Sequence, residues 1–162
     1  MRILGIDPGI RCTGYGLISI DGGQPHLVDF GTIKPPPAAT MGERLAVIYD
    51  DLDQLIDMTH PDEFAIEEAF HGVNARSALI LGQSRGAALV CAAHHHLPIG
   101  QYAPRRVKIA TTGSGRATKE QVQYMVQRIL GIDQPPTPLD ASDALAVAIC
   151  HHQTLRLEGL RA

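Results

Sequence analysis

The sequence contains no tryptophan and only three cysteines, at Cys12, Cys91 and Cys150. These cysteines are widely spaced and form no C-x-x-C pair, which argues against a disulfide framework. Reduced thiols are typical of the cytosol, so we expect a cytoplasmic protein. Apolar residues make up 44% of the chain and charged residues 19%, a balance typical of a soluble α/β protein.

Long apolar runs are also absent. Every apolar run stops well before the roughly 18 residues that would indicate a transmembrane helix. The first run ends at Asp7, so we expect neither a signal peptide nor contact with a membrane. Internal repeats, low-complexity tracts and a domain boundary are missing too, and we therefore predict one domain over residues 1–162.

The net charge of -3 is small, but the charges are unevenly distributed along the chain. Residues 104–128 hold six cations against one acid, whereas residues 40–68 hold nine acids against one arginine. One face could therefore attract phosphate while another repels it. Two ordinary solvated faces would explain the same pattern, and charge alone does not decide between them.

Hydrophobic periodicity predicts a sheet that opens with antiparallel strands and is flanked by helices. Helix boundaries come from a T-x-x-E capping box at Thr40 and Glu43, from Thr118 with Gln121, and from the stop at Gly131. The predicted strands are Arg2–Asp7, Thr13–Asp21, His26–Ile33, Phe64–Ile66 and Pro98–Ala103. The predicted helices cover about 40–60, 74–95, 118–131 and a last segment from Asp140. The fold class is α/β, with a mixed five-stranded sheet of three antiparallel strands and then two parallel ones.

Four acidic residues lie at informative places. Asp7 ends an apolar strand, Glu67 ends another, and Asp140 and Asp143 lie three residues apart near the start of a helix, on one side of it. Each also has a local explanation: a turn before Pro8, a solvated strand end, or acids favoured at a helix N-terminus.

Converging carboxylates suit phosphodiester hydrolysis, which needs an activated water and a stabilised leaving oxyanion. Two divalent cations about 4 Å apart can do both, and oxygen ligands suit magnesium. Because unpaired carboxylates would repel one another, a bound dication is the natural compensation.

An ordered set of motifs resembles the RuvC family of Holliday-junction resolvases. The set consists of GIDPG at 5–9, TGYG at 13–16, FAIE at 64–67, LGQSRG at 81–86 and DASDALA at 140–146. The resemblance covers residues 1 to about 152. It implies a ribonuclease H-like fold, a homodimer, two Mg²⁺ ions per active site with Mn²⁺ as a substitute, and paired symmetrical nicks across a four-way DNA junction. It also implies a role in homologous recombination and DNA repair, together with the RuvA and RuvB branch-migration complex.

The resemblance also assigns roles to individual residues. The catalytic acids and metal ligands correspond to Asp7, Glu67, Asp140 and Asp143, and the catalytic or phosphate-binding lysines to Lys108 and Lys119. The aromatic residue thought to stack on a base near the crossover corresponds to Phe70. The DNA-binding residues that we predict are Phe70, Arg76, Arg105, Lys108, Arg116 and Lys119.

Two of these assignments also have support from the residues themselves. Lys108 and Lys119 flank residues 111–116, a flexible segment of hydroxyls, glycines and one arginine that suits phosphate oxygens, although an ordinary surface loop is the alternative. Phe70 lies in a glycine-containing loop and could stack on an unpaired base; a core position is the alternative.

The helix at 75–93 is apolar on more than one side, and Gly82 and Gly86 would allow another backbone to approach closely. A dimer through this helix would match a substrate that needs two symmetrical cuts, although burial under a loop is possible. The histidine runs 94–96 and 151–152 are not expected to bind metal. Consecutive histidines cannot all face one ion, and both runs are predicted to end helices.

Three other functions are compatible with parts of this pattern. A sugar kinase or actin-like ATPase also opens with an acidic strand and a glycine-rich turn, but needs two such domains. A non-catalytic junction-binding module would not need four acids. Another ribonuclease H-like nuclease would differ in surface shape, which sequence does not reveal.

Overall fold

The computed structural model describes residues 1–68 and 74–159, which contain five strands and five helices. The strands are β1 (Arg2–Asp7), β2 (Thr13–Asp21), β3 (Gln24–Ile33), β4 (Glu63–Glu67) and β5 (Ile99–Tyr102). The helices are α1 (Met41–Thr59), α2 (Ala75–His94), α3 (Pro104–Thr112), α4 (Lys119–Leu130) and α5 (Leu139–Gly159). The strand order is β3-β2-β1-β4-β5. The first three strands pair antiparallel, and β4 and β5 continue the sheet in parallel with β1, so the predicted mixed sheet is confirmed.

The central strand β1 separates two cores by strict alternation of its side chains. Leu4 and Ile6 pack with α1 and α2, whereas Ile3 packs on the opposite face with α3, α4 and α5. Since side chains alternate across a strand, Asp7 at the end of β1 lies on the same face as Ile3. The helix α5 covers this face.

Glycines in the sheet allow α5 to lie directly against it. A Cβ on Gly5 would collide with the backbone of Ala144, and one on Gly14 would collide with the carbonyl of Asp140. Small residues on both sides therefore set a short distance between helix and sheet. This close approach brings the N-terminal end of α5 to the last residues of β1 and the first residues of β2.

The helix α5 is buried on nearly all sides over much of its length. Ala141, Ser142 and all of residues 144–152 are buried, and Asp143 is the exception within this stretch. The reason is that α3 and α4 pack on the side of α5 that faces away from the sheet. A helix with apolar residues on every side is expected to be buried by neighbouring elements on every side.

Other element boundaries agree in part with those expected from the sequence. Both capping boxes form, at Thr40 with Glu43 and at Thr118 with Gln121, and Gly131 ends α4 in a left-handed conformation. The helix α3 was not predicted, and residues 111–112 belong to it rather than to a loop. The expectation that the histidines at 151–152 end a helix is wrong, because α5 continues to Gly159.

No helix among the described residues is long and apolar enough to cross a membrane. The three cysteines are free thiols.

Candidate active site

Two acids meet at the carboxyl-terminal edge of the sheet. The strands β1 and β4 run parallel with Ile6 opposite Ile66, so Asp7 and Glu67 follow at neighbouring positions. Each acid lies one residue after an isoleucine that faces α1 and α2. By alternation both acids therefore belong to the face that α5 covers.

The helices add a third acid and a lysine. Asp143 lies one turn from the start of α5, and Lys119 is the first residue of α4, directly after the N-cap residue Thr118. The Nζ atom of Lys119 donates a hydrogen bond to Oδ2 of Asp143 at 2.6 Å. The Asp143 side chain is only 16% exposed whereas that of Lys119 is 57% exposed, so the lysine reaches inward from solvent to an acid in the pocket.

A cavity of about 480 Å³ connects these groups. Its lining residues are Asp7, Glu67, Pro104, Arg105, Val107, Lys108, Gly115, Lys119, Val122 and Asp143. Three acids therefore share one open pocket with three cations, and apolar side chains from α3 and α4 complete its wall. A group that carries negative charge could contact the cations while its reacting atom faces the acids.

The environment of this pocket disfavours the charged forms of Asp7 and Glu67. Burial raises the pKa of Asp7 well above its ordinary value, and the charges of Glu67 and Asp143 raise it further, against the opposing effect of Lys119. Burial, followed by the charge of Asp143, raises the pKa of Glu67 to about 7, although Lys119 and Lys108 act to lower it. The nearby lysines therefore compensate only part of the negative charge.

The pKa of Lys119 is raised as well, but for a lysine this favours the charged form. Burial by itself would lower the pKa of its ammonium group, but the hydrogen bond from Lys119 to Asp143 and the charges of Asp143, Asp7 and Asp140 raise it overall. The pocket therefore keeps this side chain positively charged at neutral pH.

Asp140 occupies a different position from the other three acids. It lies in the first turn of α5 and does not line the cavity, although its charge contributes to the raised pKa of Asp7. Burial and the charge of Asp140 raise the pKa of Cys12, which places this thiol beside the acid. Cys12 was not predicted to lie near the site; its only signal in the sequence is that it follows Asp7 by five residues.

The four acids are neighbours rather than a preformed cage. Within residues 1–68 and 74–159, no three of them bring carboxylate oxygens all within 4.8 Å of one another. One of these carboxylates, that of Asp143, accepts a hydrogen bond from Lys119.

The predicted DNA-binding residues fall into two groups. Arg105, Lys108 and Lys119 line the cavity. Arg116 and Arg76 are exposed but lie outside its lining, and Phe70 lies outside the described residues. The helix α3 positions Lys108, which the sequence had placed beside a flexible segment.

Comparison with known proteins identifies one family. Residues 3–151 match the family model described as crossover junction endodeoxyribonuclease RuvC. The RuvC protein of Dehalococcoides mccartyi is 47% identical over 94% of this chain and 91% of its own length.

Two solved structures from Thermus thermophilus are also similar. The RuvC structure has a TM-score of 0.89 and 34% identity, covering 98% of this chain and 97% of that one. RuvC in complex with a Holliday junction substrate has a TM-score of 0.91 and 33% identity, covering 98% and 96%. The ribonuclease H-like fold is thereby confirmed, and the chain belongs to the RuvC family of crossover junction endodeoxyribonucleases.

Proposed function

We propose that this chain resolves four-way DNA junctions by paired, symmetrical, metal-dependent hydrolysis of phosphodiester bonds, in homologous recombination and DNA repair. The observation that carries the proposal is the pocket in which Asp7, Glu67 and Asp143 face Lys119, Lys108 and Arg105. The similar Thermus thermophilus RuvC was solved in complex with a Holliday junction substrate, which supports the choice of DNA.

The acids fit a hard divalent cation, and we propose Mg²⁺, with Mn²⁺ as a substitute. Their donors are carboxylate oxygens, and the raised pKa values of Asp7 and Glu67 reflect burial and negative charge that the lysines compensate only in part. Asp7, Glu67 and Asp143 would hold the metal, with Asp140 contributing from the first turn of α5. When bound, two such ions activate a water and stabilise the leaving oxygen.

The cations of the pocket would act on the DNA itself. Arg105 and Lys108 lie on α3, on the cavity wall, where they can contact phosphate oxygens and hold the scissile strand. Lys119 lies closer to the acids through its interaction with Asp143, and its retained positive charge can offset the charge that develops on the phosphate.

A homodimer is part of the proposal because symmetrical nicks need two active sites. The helix α2 buries Ser84, Ala88, Cys91 and Ala92 against the protein, but Leu79 is 71% exposed and Val90 is 50% exposed. Gly82 and Gly86 have open space beside their Cα atoms, which would let a second helix approach. We propose that α2 pairs with its symmetry mate.

Three further roles rest on the sequence rather than on the site geometry. These are the stacking of Phe70 on a base near the crossover, the contacts of Arg76 and Arg116 with the DNA backbone, and cooperation with the RuvA and RuvB complex. An exposed position suits Arg76 and Arg116 for backbone contacts.

The test is cleavage of a four-way junction compared with a linear duplex and an RNA–DNA hybrid, in magnesium and in EDTA. We expect magnesium-dependent, paired nicks in the junction alone. Cleavage of the hybrid or of linear duplex at a similar rate would favour another ribonuclease H-like nuclease. Junction binding without cleavage would indicate a non-catalytic module.

A further inference from the structure

A second group of metal-ligating side chains lies on the face of the sheet opposite the catalytic pocket. Ligand atoms of Asp53, Cys91 and His95 all lie within 4.8 Å of one another. Asp53 belongs to α1, Cys91 to α2, and His95 is the residue that caps the end of α2. Among residues 1–68 and 74–159, these three form the one such cluster of three or more.

The spacing of these residues along their helices explains why their side chains meet. Cys91 and His95 are four residues apart at the end of α2, and Asp53 and Asp57 are four apart on α1, so each pair shares one helix face. The helices α1 and α2 pack against each other, which turns the two faces together. The Nε2 atom of His95 lies 2.8 Å from Oδ1 of Asp53.

The opposite edge of the same imidazole faces a second carboxylate. The Nδ1 atom of His95 lies 3.8 Å from Oδ1 of Asp57. Histidine ligands commonly hold a metal through one nitrogen while a carboxylate orients the other. Asp57 is therefore placed as a positioning residue rather than as a ligand.

The donor set selects the class of metal. A thiolate, an imidazole and a carboxylate suit Zn²⁺ and similar borderline ions, whereas magnesium prefers oxygen ligands alone. Cys91 is fully buried, whereas Asp53 and His95 are partly exposed, so an ion could enter from the surface and reach the sulfur. Three protein ligands leave one tetrahedral position for water.

The electrostatics of the cluster favour a dication. Burial, together with the charges of Asp53 and Asp57, raises the pKa of the Cys91 thiol to about 12. The two carboxylates that disfavour a thiolate would attract a positive ion to the same place.

We propose that Asp53, Cys91 and His95 bind one zinc-class divalent cation that links α1 to the end of α2. The ion would take no part in cleavage at the catalytic pocket, since the sheet separates the two sites. It would also fix the helix that presents Leu79 and Val90 to solvent. Although the histidines at 94–96 cannot bind one ion together, His95 alone can do so with residues from elsewhere.

The experiment is titration of the purified chain with Co²⁺, with excess magnesium present to occupy the catalytic acids. We expect one ion per chain and a thiolate-to-cobalt charge-transfer absorption, which only a cysteine ligand produces. Cys91→Ser should abolish this absorption, and Cys12→Ser is the matched control because Cys12 lies beside Asp140. An absorption that is absent from the unmodified chain, or that persists in Cys91→Ser, overturns the proposal.

A second pair of variants keeps the test independent of the folding of Cys91→Ser. His95→Gln alters a partly exposed side chain, and His96→Gln alters its exposed neighbour in the same histidine run. His95→Gln should weaken Zn²⁺ binding about tenfold or more and remove the Zn²⁺-induced rise in melting temperature. His96→Gln should retain both. Equal Zn²⁺ affinity of the two variants would refute the proposal.

Discussion

Glu67→Gln should stabilise the metal-free protein at neutral and alkaline pH. Burial raises the pKa of Glu67 from 4.5 to about 7, so the folded state holds a proton that the unfolded state releases. Between these values the unfolded state binds fewer protons, and the free energy of unfolding must therefore fall as the pH increases. Glutamine removes this dependence because it carries no charge.

The size of the effect follows from the same shift. A change from 4.5 to about 7 corresponds to roughly 3 kcal/mol, because each pKa unit is worth about 1.4 kcal/mol. Glu67 retains some contact with solvent, which screens its charge, so we expect about 1–3 kcal/mol above pH 7. Below about pH 4.5 the variant and the unmodified protein should differ little.

The assay is urea denaturation in EDTA at several pH values between 4 and 8. Glu68→Gln is the matched control, since Glu68 follows directly and is exposed; its effect should be small at every pH. Magnesium at about 100 times its Kd should then add about 2.7 kcal/mol to the unmodified protein and much less to Glu67→Gln. Equal stability of the two variants at pH 8 in EDTA would refute the reasoning.

Lys119→Ala should lower the single-turnover rate of junction cleavage about 100-fold or more while leaving the fold intact, since an exposed side chain is removed; an unchanged rate would exclude its role in charge stabilisation. Gly5→Ala should destabilise the protein by about 3 kcal/mol or more in thermal unfolding, because a Cβ would meet the backbone of Ala144; Gly42→Ala, where nothing lies nearby, is the control. Leu79→Asp should weaken dimerisation at least about tenfold in sedimentation experiments, since it places a charge in the proposed interface; a dimer of unchanged affinity would exclude that surface.

Sequence patterns predicted the sheet well because its signals are local. The end of β2 follows from the glycine turn at Gly22 and Gly23, and both capping boxes place helix starts within one residue. The helix α3 was missed because it is only nine residues long and has few apolar residues. Pro104 at its first turn and Gly113 after its end were the available signals.

The candidate site was predictable in its residue types but not in its geometry. Alternation along β1 and β4 explains why Asp7 and Glu67 share a face, but the distance to Asp143 depends on how closely α5 approaches the sheet. That approach is set by contacts between distant glycines and alanines, which no local pattern reveals. The ion pair of Lys119 with Asp143 likewise joins residues 24 positions apart.

The catalytic, metal-binding and DNA-binding roles of all the individual residues stay predictions, as do the single domain over residues 1–162 and the cytoplasmic location. Asp140 lies outside the cavity that the other three acids line. Asp140→Asn should therefore reduce cleavage less than Asp7→Asn does.

Soaking crystals of the protein in Mn²⁺ and recording anomalous diffraction tests the catalytic site most directly. We expect anomalous peaks between the carboxylates of Asp7, Glu67 and Asp143, with the Lys119 ammonium displaced from Asp143. The protein used for the crystals must cleave junctions in solution with Mn²⁺. If manganese then binds elsewhere and this pocket stays empty, the assignment of these acids as metal ligands is contradicted.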